Sequence, residues 1–168
     1  LYITTKLWNS DQGTQSVFDA MDLSLEKLGL GHVDLYLIHW PRPDLDKYVE
    51  TWHAMEELQA KGKATSIGVS NFHIPHLERL MSESTVVPAI DQLELHPAFA
   101  QREIREFAAS KGIHIVIPRE RLKATTGMFL RTEKSVLFII PWQHYWVIGT
   151  TDTAWHEHGP VDAQLLRH

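Results

Sequence analysis

A chain of 168 residues, 43% apolar and 22% charged, has the length and composition of a soluble globular domain with a sizeable core. A net charge of −5 without a basic run gives no field for nucleic acid, and no apolar stretch reaches the roughly 20 residues of a membrane span. The absence of cysteine excludes disulfides and thiolate metal sites and fits a reducing, cytoplasmic compartment.

The first apolar run, Leu1-Tyr-Ile-Thr-Thr, ends in Lys6-Leu7-Trp8-Asn9. It begins within strand-like sequence and without Met, so further sequence is expected upstream. Ser10 to Gly13 is turn chemistry, and Val17, Ala20, Met21, Leu25 and Leu28 then follow helical spacing up to Gly29 and Gly31. Val33-Asp-Leu-Tyr-Leu-Ile reads as a buried strand that delivers His39 and Trp40 against Pro41. Tyr48, Trp52, Met55 and Leu58 predict a second helix that stops at Lys61-Gly62-Lys63. A third strand, Thr65 to Val69, ends in Ser70-Asn71-Phe72 and is followed by a helix through Ile74, Leu77, Leu80 and Met81, entered at Pro75. Ala89-Ile-Asp ends in Gln92-Leu-Glu94-Leu-His96-Pro97, and a fourth helix over Ile104 to Phe107 closes at Lys111-Gly112.

Strands alternating with helices imply parallel pairing, because each return is made by a crossover helix. The fold class is therefore α/β, with every polar cluster on one edge of the sheet. Beyond Gly112 the pattern changes. Residues 113–117 suit a fifth parallel strand, but Met128 to Arg131, Ser135 to Ile140 and Tyr145 to Gly149 are β-type runs with no room for helices between them, so a β-rich antiparallel tail is expected.

Parallel α/β folds place their sites at the C-terminal strand ends, and each strand here brings a polar group there: Lys6, His39, Ser70 with Asn71, and Gln92. A lysine in that position can lower a neighbouring acid's pKa or bind phosphate, an imidazole can move a proton, and the neutral groups suit a carboxamide or phosphate. Each has a plainer alternative as a solvated lysine, a satisfied core histidine or a turn residue. His73-x-x-His76 and His156-Glu-His158 have spacings that could suit a metal, but both lack a third ligand and read better as solvated faces. No Gly-x-Gly-x-x-Gly and no Gly-rich phosphate loop occurs.

Thr5-Lys-Leu-Trp8, Asp34-Leu-Tyr-Leu-Ile-His-Trp-Pro41, Gly68-Val-Ser-Asn-Phe72 and Gln92-Leu-Glu-Leu-His-Pro97 carry a resemblance. Residues 1–111 resemble the aldo-keto reductases, especially the bacterial 2,5-diketo-D-gluconate reductase type. The resemblance implies part of a (β/α)₈ TIM barrel, about four βα units, that binds NADPH and reduces an aldehyde or ketone. It places Lys6 and His39 in the family's Asp-Tyr-Lys-His catalytic set, Trp8 and Trp40 on the substrate pocket, and Ser70, Asn71 and Gln92 on the nicotinamide. The set's Asp and Tyr would fall before Leu1, and Tyr2, Tyr36, Tyr48 and Tyr145 do not match the acid. The isolated chain is therefore expected to be inactive, and the open edges of an incomplete barrel are expected to favour self-association.

Lys111-Gly-Ile-His-Ile-Val-Ile-Pro-Arg119, Arg131 to Trp142 and Val147 to Thr153 resemble a second family, the FAD-dependent glycerol-3-phosphate dehydrogenases. The expected division is 1–111, a partial reductase barrel, and 112–168, a fragment of the dehydrogenase's substrate-side sheet, as in a chimera or two merged sequences. FAD is then the alternative cofactor. His114 matches that family's active-site histidine and is expected to be structural here.

Overall fold

Alternating apolar runs and amphipathic segments build a single mixed sheet with helices against it. The computed structural model describes residues 1–96, 98–118, 126–131, 136–142 and 145–150. In chain order the elements are β1 (Thr4–Leu7), a 3₁₀ turn (Asn9–Asp11), α1 (Thr14–Leu28), β2 (Val33–Ile38), α2 (Tyr48–Ala60), β3 (Ala64–Ser70), α3 (Ile74–Glu83), β4 (Ile90–Gln92), α4 (Arg102–Ser110) and β5 (His114–Pro118). Three further strands follow: β6 (Met128–Arg131), β7 (Val136–Trp142) and β8 (Tyr145–Thr150). The sheet order is β1-β2-β3-β4-β5-β8-β7-β6. The first five strands are parallel neighbours, whereas β8 pairs antiparallel with β5, and β7 and β6 continue antiparallel. Five parallel strands joined by four helices are the connectivity of a (β/α) barrel, here open.

Register explains the continuous apolar run in β2. Tyr36 and Ile38 lie in the core shared by sheet and helices, while Leu35 and Leu37 are buried on the other side, as expected for a strand covered on both faces. One helix-side row crosses seven strands: Leu7, Ile38, Val69, Asp91, Ile115, Ile148 and Ile139. Every member is buried, and Asp91 is the acid among them at 0% exposure. The helices cover this row with Val17, Met21 and Leu25 of α1, Trp52, Met55 and Leu58 of α2, Leu77 and Leu80 of α3, and Ile104 and Ala108 of α4.

A close approach of backbone sets one position. A Cβ at Gly68 would lie 2.7 Å from the Ile90 carbonyl and 2.8 Å from Leu37 Cδ2, so glycine there lets Leu37 close over β3 beside β4. Among the described residues no helix is long and apolar enough to cross a membrane. His156-Glu-His158 and the Thr151 to Thr153 part of the second resemblance lie outside the described residues.

Candidate active site

Parallel register brings the four polar strand ends together. Lys6 pairs with Leu37, Ile38 with Val69, and Ser70 with Gln92, so Trp8, His39, Asn71 and Gln92 follow one another along the C-terminal edge of β1 to β4. Hydrogen bonds stitch these ends laterally. His39 N–H donates to the Leu7 carbonyl at 3.2 Å, Asn71 Nδ2 donates to the His39 carbonyl at 3.0 Å, and Asn71 N–H donates to the Gln92 carbonyl at 3.1 Å.

Ser70 and Asn71 spend their donors inside the protein. Ser70 Oγ, buried, donates to the Gln92 carbonyl at 2.8 Å, and Asn71 Nδ2 also donates to Ser70 Oγ at 3.1 Å. Asn71 adopts φ +62°, a left-handed conformation that asparagine tolerates better than most residues. Its Oδ1 and the whole side-chain carboxamide of Gln92 remain for a ligand. Among the described residues neither group takes a protein partner.

The His39 ring stacks on Trp8 with centroids 4.8 Å apart and planes at 29°. Its Nδ1 is enclosed without a hydrogen-bond partner among the described residues, so Nε2 is the nitrogen a ligand can reach. Burial first, and the nearby Lys6 charge second, lower the His39 pKa, which keeps the imidazole neutral at physiological pH. Lys6 retains solvent access, yet partial desolvation at the strand ends lowers its pKa too. No carboxylate among the described residues forms an ion pair with it.

Trp8 and Trp40 flank the cluster at 59% and 45% exposure, large for apolar rings. Gln12 holds the Trp40 end by donating Nε2 to the Trp40 carbonyl at 2.7 Å, and Gly13 N–H in turn donates to the buried Thr51 Oγ1 at 2.9 Å. Sequence reasoning missed both supports. Gln12 stood in an ordinary polar turn, and nothing local marks it as buried. None of the tyrosines lies beside Lys6. Tyr36 pairs with Thr5 and Ile67, one step out of register with Lys6 and in the helix-side core, where burial and Asp11 push its phenol up. Tyr48 is in α2, Tyr145 pairs with Pro118 beyond β4, and Tyr2 precedes β1.

His73 is exposed, as the solvated-face reading expects, whereas His76 departs from it. His73 caps α3, and His76 is half-buried in an aromatic cluster with Phe72 and Tyr48. No group of three potential metal ligands occurs among the described residues.

A parallel α/β barrel segment with an imidazole, an amine and a carboxamide on its C-terminal edge defines an enzyme-type scaffold of the TIM-barrel class. The sequence matches the aldo/keto reductase family over residues 1–135, and the chain belongs to that family. It is 50% identical over 113 residues to the methylglyoxal reductase DkgA of Yersinia pestis, covering 67% of this chain and 40% of the relative. It is 46% identical over 115 residues to the glyoxal reductase of Bacillus subtilis, covering 68% and 41%. Among solved structures, a mutant of Gox0644 in complex with NADPH is similar at 50% identity and a TM-score of 0.66, over 68% of this chain and 42% of that one. The chain thus spans about two fifths of the length of these relatives. None of these matches concerns a glycerol-3-phosphate dehydrogenase.

Proposed function

We propose that this chain is part of an NADPH-dependent reductase that converts an aldehyde or ketone to an alcohol. The observation that carries this is the free Gln92 carboxamide beside Asn71 Oδ1, two strands from the enclosed His39 ring. A carboxamide offers one acceptor and two donors, which suits the carboxamide of a nicotinamide, and Ser70 with the Asn71 Nδ2 fixes the backbone behind it. The naming of relatives as glyoxal and methylglyoxal reductases, and an NADPH complex among the neighbours, support the same class.

Bound NADPH supplies a hydride for the carbonyl carbon. Neutral His39 donates from Nε2 to the carbonyl oxygen and fixes its direction, with Trp8 holding the ring from behind. Lys6 places positive charge at the same edge and lowers the pKa of a proton donor. Trp8 and Trp40 exclude water from the carbonyl. The matching Asp and Tyr have no counterpart within these 168 residues, so a polypeptide of this sequence alone lacks the general acid, a contribution of roughly 10²–10⁴-fold, and does not turn over. The outer edges of β1 and β6, which pair with no further strand among the described residues, favour its self-association, and a cytoplasmic location fits the cysteine-free composition.

A graft tests the assignment. Residues 1–111 replacing the matching segment of the Yersinia pestis reductase should give NADPH oxidation with methylglyoxal, abolished by Lys6→Met or His39→Ala. A folded graft without activity, or one indifferent to both substitutions, contradicts it.

One observation favours a second reading for the rest of the chain. Pairing switches from parallel to antiparallel at β5 and β8, next to the proposed boundary at 111. In that reading 112–168 derives from an FAD-dependent glycerol-3-phosphate dehydrogenase and His114 is structural, so FAD should not bind. FAD binding lost in His114→Ala with folding unchanged would reverse the structural role.

A further inference from the structure

We propose that His73 and His76 form an acid-sensitive clasp at the start of α3, which holds the Asn71 turn while His76 is neutral and releases it when His76 takes a proton. The bearing on cofactor binding rests on the reading above; the clasp itself does not.

In a capping box the third helical residue returns a side-chain acceptor to the N-cap N–H, usually from Glu or Gln. Here the acceptor is an imidazole. His73 N–H donates to His76 Nδ1 at 3.1 Å, which requires the Nδ1 lone pair and therefore a neutral ring. Protonation turns that acceptor into a donor facing another donor. It also puts positive charge in the first turn of a helix, where the aligned peptide dipoles favour negative charge.

The surroundings do not compensate. His73 lies beside His76 with centroids 6.0 Å apart, and Phe72 and Tyr48 meet the His76 ring edge-on at 5.9 Å each. The Arg79 guanidinium lies 5.3 Å from the Tyr48 ring centre and brings a further cation to the cluster. The carboxylates of this region, Asp46 and Glu83, are committed to Arg79. Lys47 and Glu50, at the start of α2, reach towards Gly13 instead, and Glu78 stands two residues along α3 on a different face. From the end of β3 and the turn after it the neighbouring groups are neutral: Ser70 and Phe72. Burial first, and His73 second, depress the His76 pKa below its ordinary 6.5. The clasp is thus intact above pH 6.5 and fails as pH falls through the lower folded-state value.

Residues 71–73 are anchored at both ends. Asn71 holds one end through the His39, Ser70 and Gln92 bonds, fully buried Phe72 fills the middle, and the His73 to His76 bond holds the other. Opening the helix end frees the ring contact on Phe72 and, through it, the left-handed Asn71.

Amide spectra of the ¹⁵N-labelled chain between pH 7.5 and 5.0 test this, with His76→Gln keeping an acceptor that does not titrate. In the wild type the Asn71, Phe72 and His73 amides should follow the His76 ring, with a midpoint below 6.5, and lose roughly fivefold of their exchange protection, about the worth of one hydrogen bond. Both responses should vanish in His76→Gln, in which His73 is retained; should that variant fold poorly, His76→Glu should likewise abolish them above pH 5. Amides that keep their positions and protection through the His76 titration, or that respond equally in the substituted chain, overturn the clasp.

Discussion

Asn71 ties β3 to β2 by donating Nδ2 to the main-chain carbonyl of His39, at 3.0 Å and at a left-handed φ of +62°. One residue therefore fixes the spacing between the proposed nicotinamide side and the proposed carbonyl side of the site. Asn71→Ala loses the Nδ2 bonds and strains the backbone, an expected cost of roughly 2–3 kcal/mol in urea unfolding. Asn71→Gly relieves the strain and should cost less. Equal losses would mean that the conformation contributes nothing.

Lys6→Met should raise the His39 pKa. The lysine charge disfavours the imidazolium, and its removal leaves burial as the remaining depressing effect. The ring signals of His39, followed by NMR against pH, should titrate at a higher midpoint that stays below 6.5. An unchanged midpoint would place the Lys6 ammonium away from the ring.

Gly68→Ala should destabilise the chain by roughly 1–3 kcal/mol, because the added methyl meets the Ile90 carbonyl and Leu37. Thermal unfolding reads this directly, and a neutral result would show that β3 and β4 separate easily.

Asp91 is an acid held in an apolar row, with neither carboxyl oxygen in a hydrogen bond among the described residues, and burial pushes its pKa from 3.8 up to about 8. The nearby Phe72 N–H, short of hydrogen-bond geometry, is the smaller and opposing influence. The unfolded chain ionises near 3.8 and the folded one near 8, so Asp91 favours folding most below 3.8 and progressively less as pH rises to about 8. Asp91→Asn should therefore gain stability over the parent by up to roughly 1.4 kcal/mol per pH unit across that window, and no further above it. Parallel stability curves for the two chains would contradict the buried acid.

The strand ends were legible because two periodicities are local. Apolar runs such as Val33 to Ile38 mark strands, three- and four-residue spacing from Val17 to Leu28 marks α1, and the alternation orders the sheet. What the chain did with polar residues far from the strand ends was not legible. Gln12 meets the Trp40 carbonyl across 28 residues, and His76 meets Tyr48 from another helix, contacts that no local pattern announces. Asp91 reads as one polar letter in Ile-Asp-Gln, and its row of apolar partners exists only once the register is set. Position at a strand end marks Ser70 and Asn71 as ligand groups; their side-chain donors turn inward, and Asn71 Oδ1 takes no partner among the described residues.

The central claim, that the edge from His39 to Gln92 holds the nicotinamide end of NADPH, is tested most directly by titrating NADPH into the ¹⁵N-labelled chain. Saturable shifts in the Gln92 and Asn71 side-chain amides and in the His39 ring, with the Gln92 response and most of the affinity lost in Gln92→Ala, are the predicted result. An absence of saturable shifts, or shifts confined to β6 to β8, would contradict it.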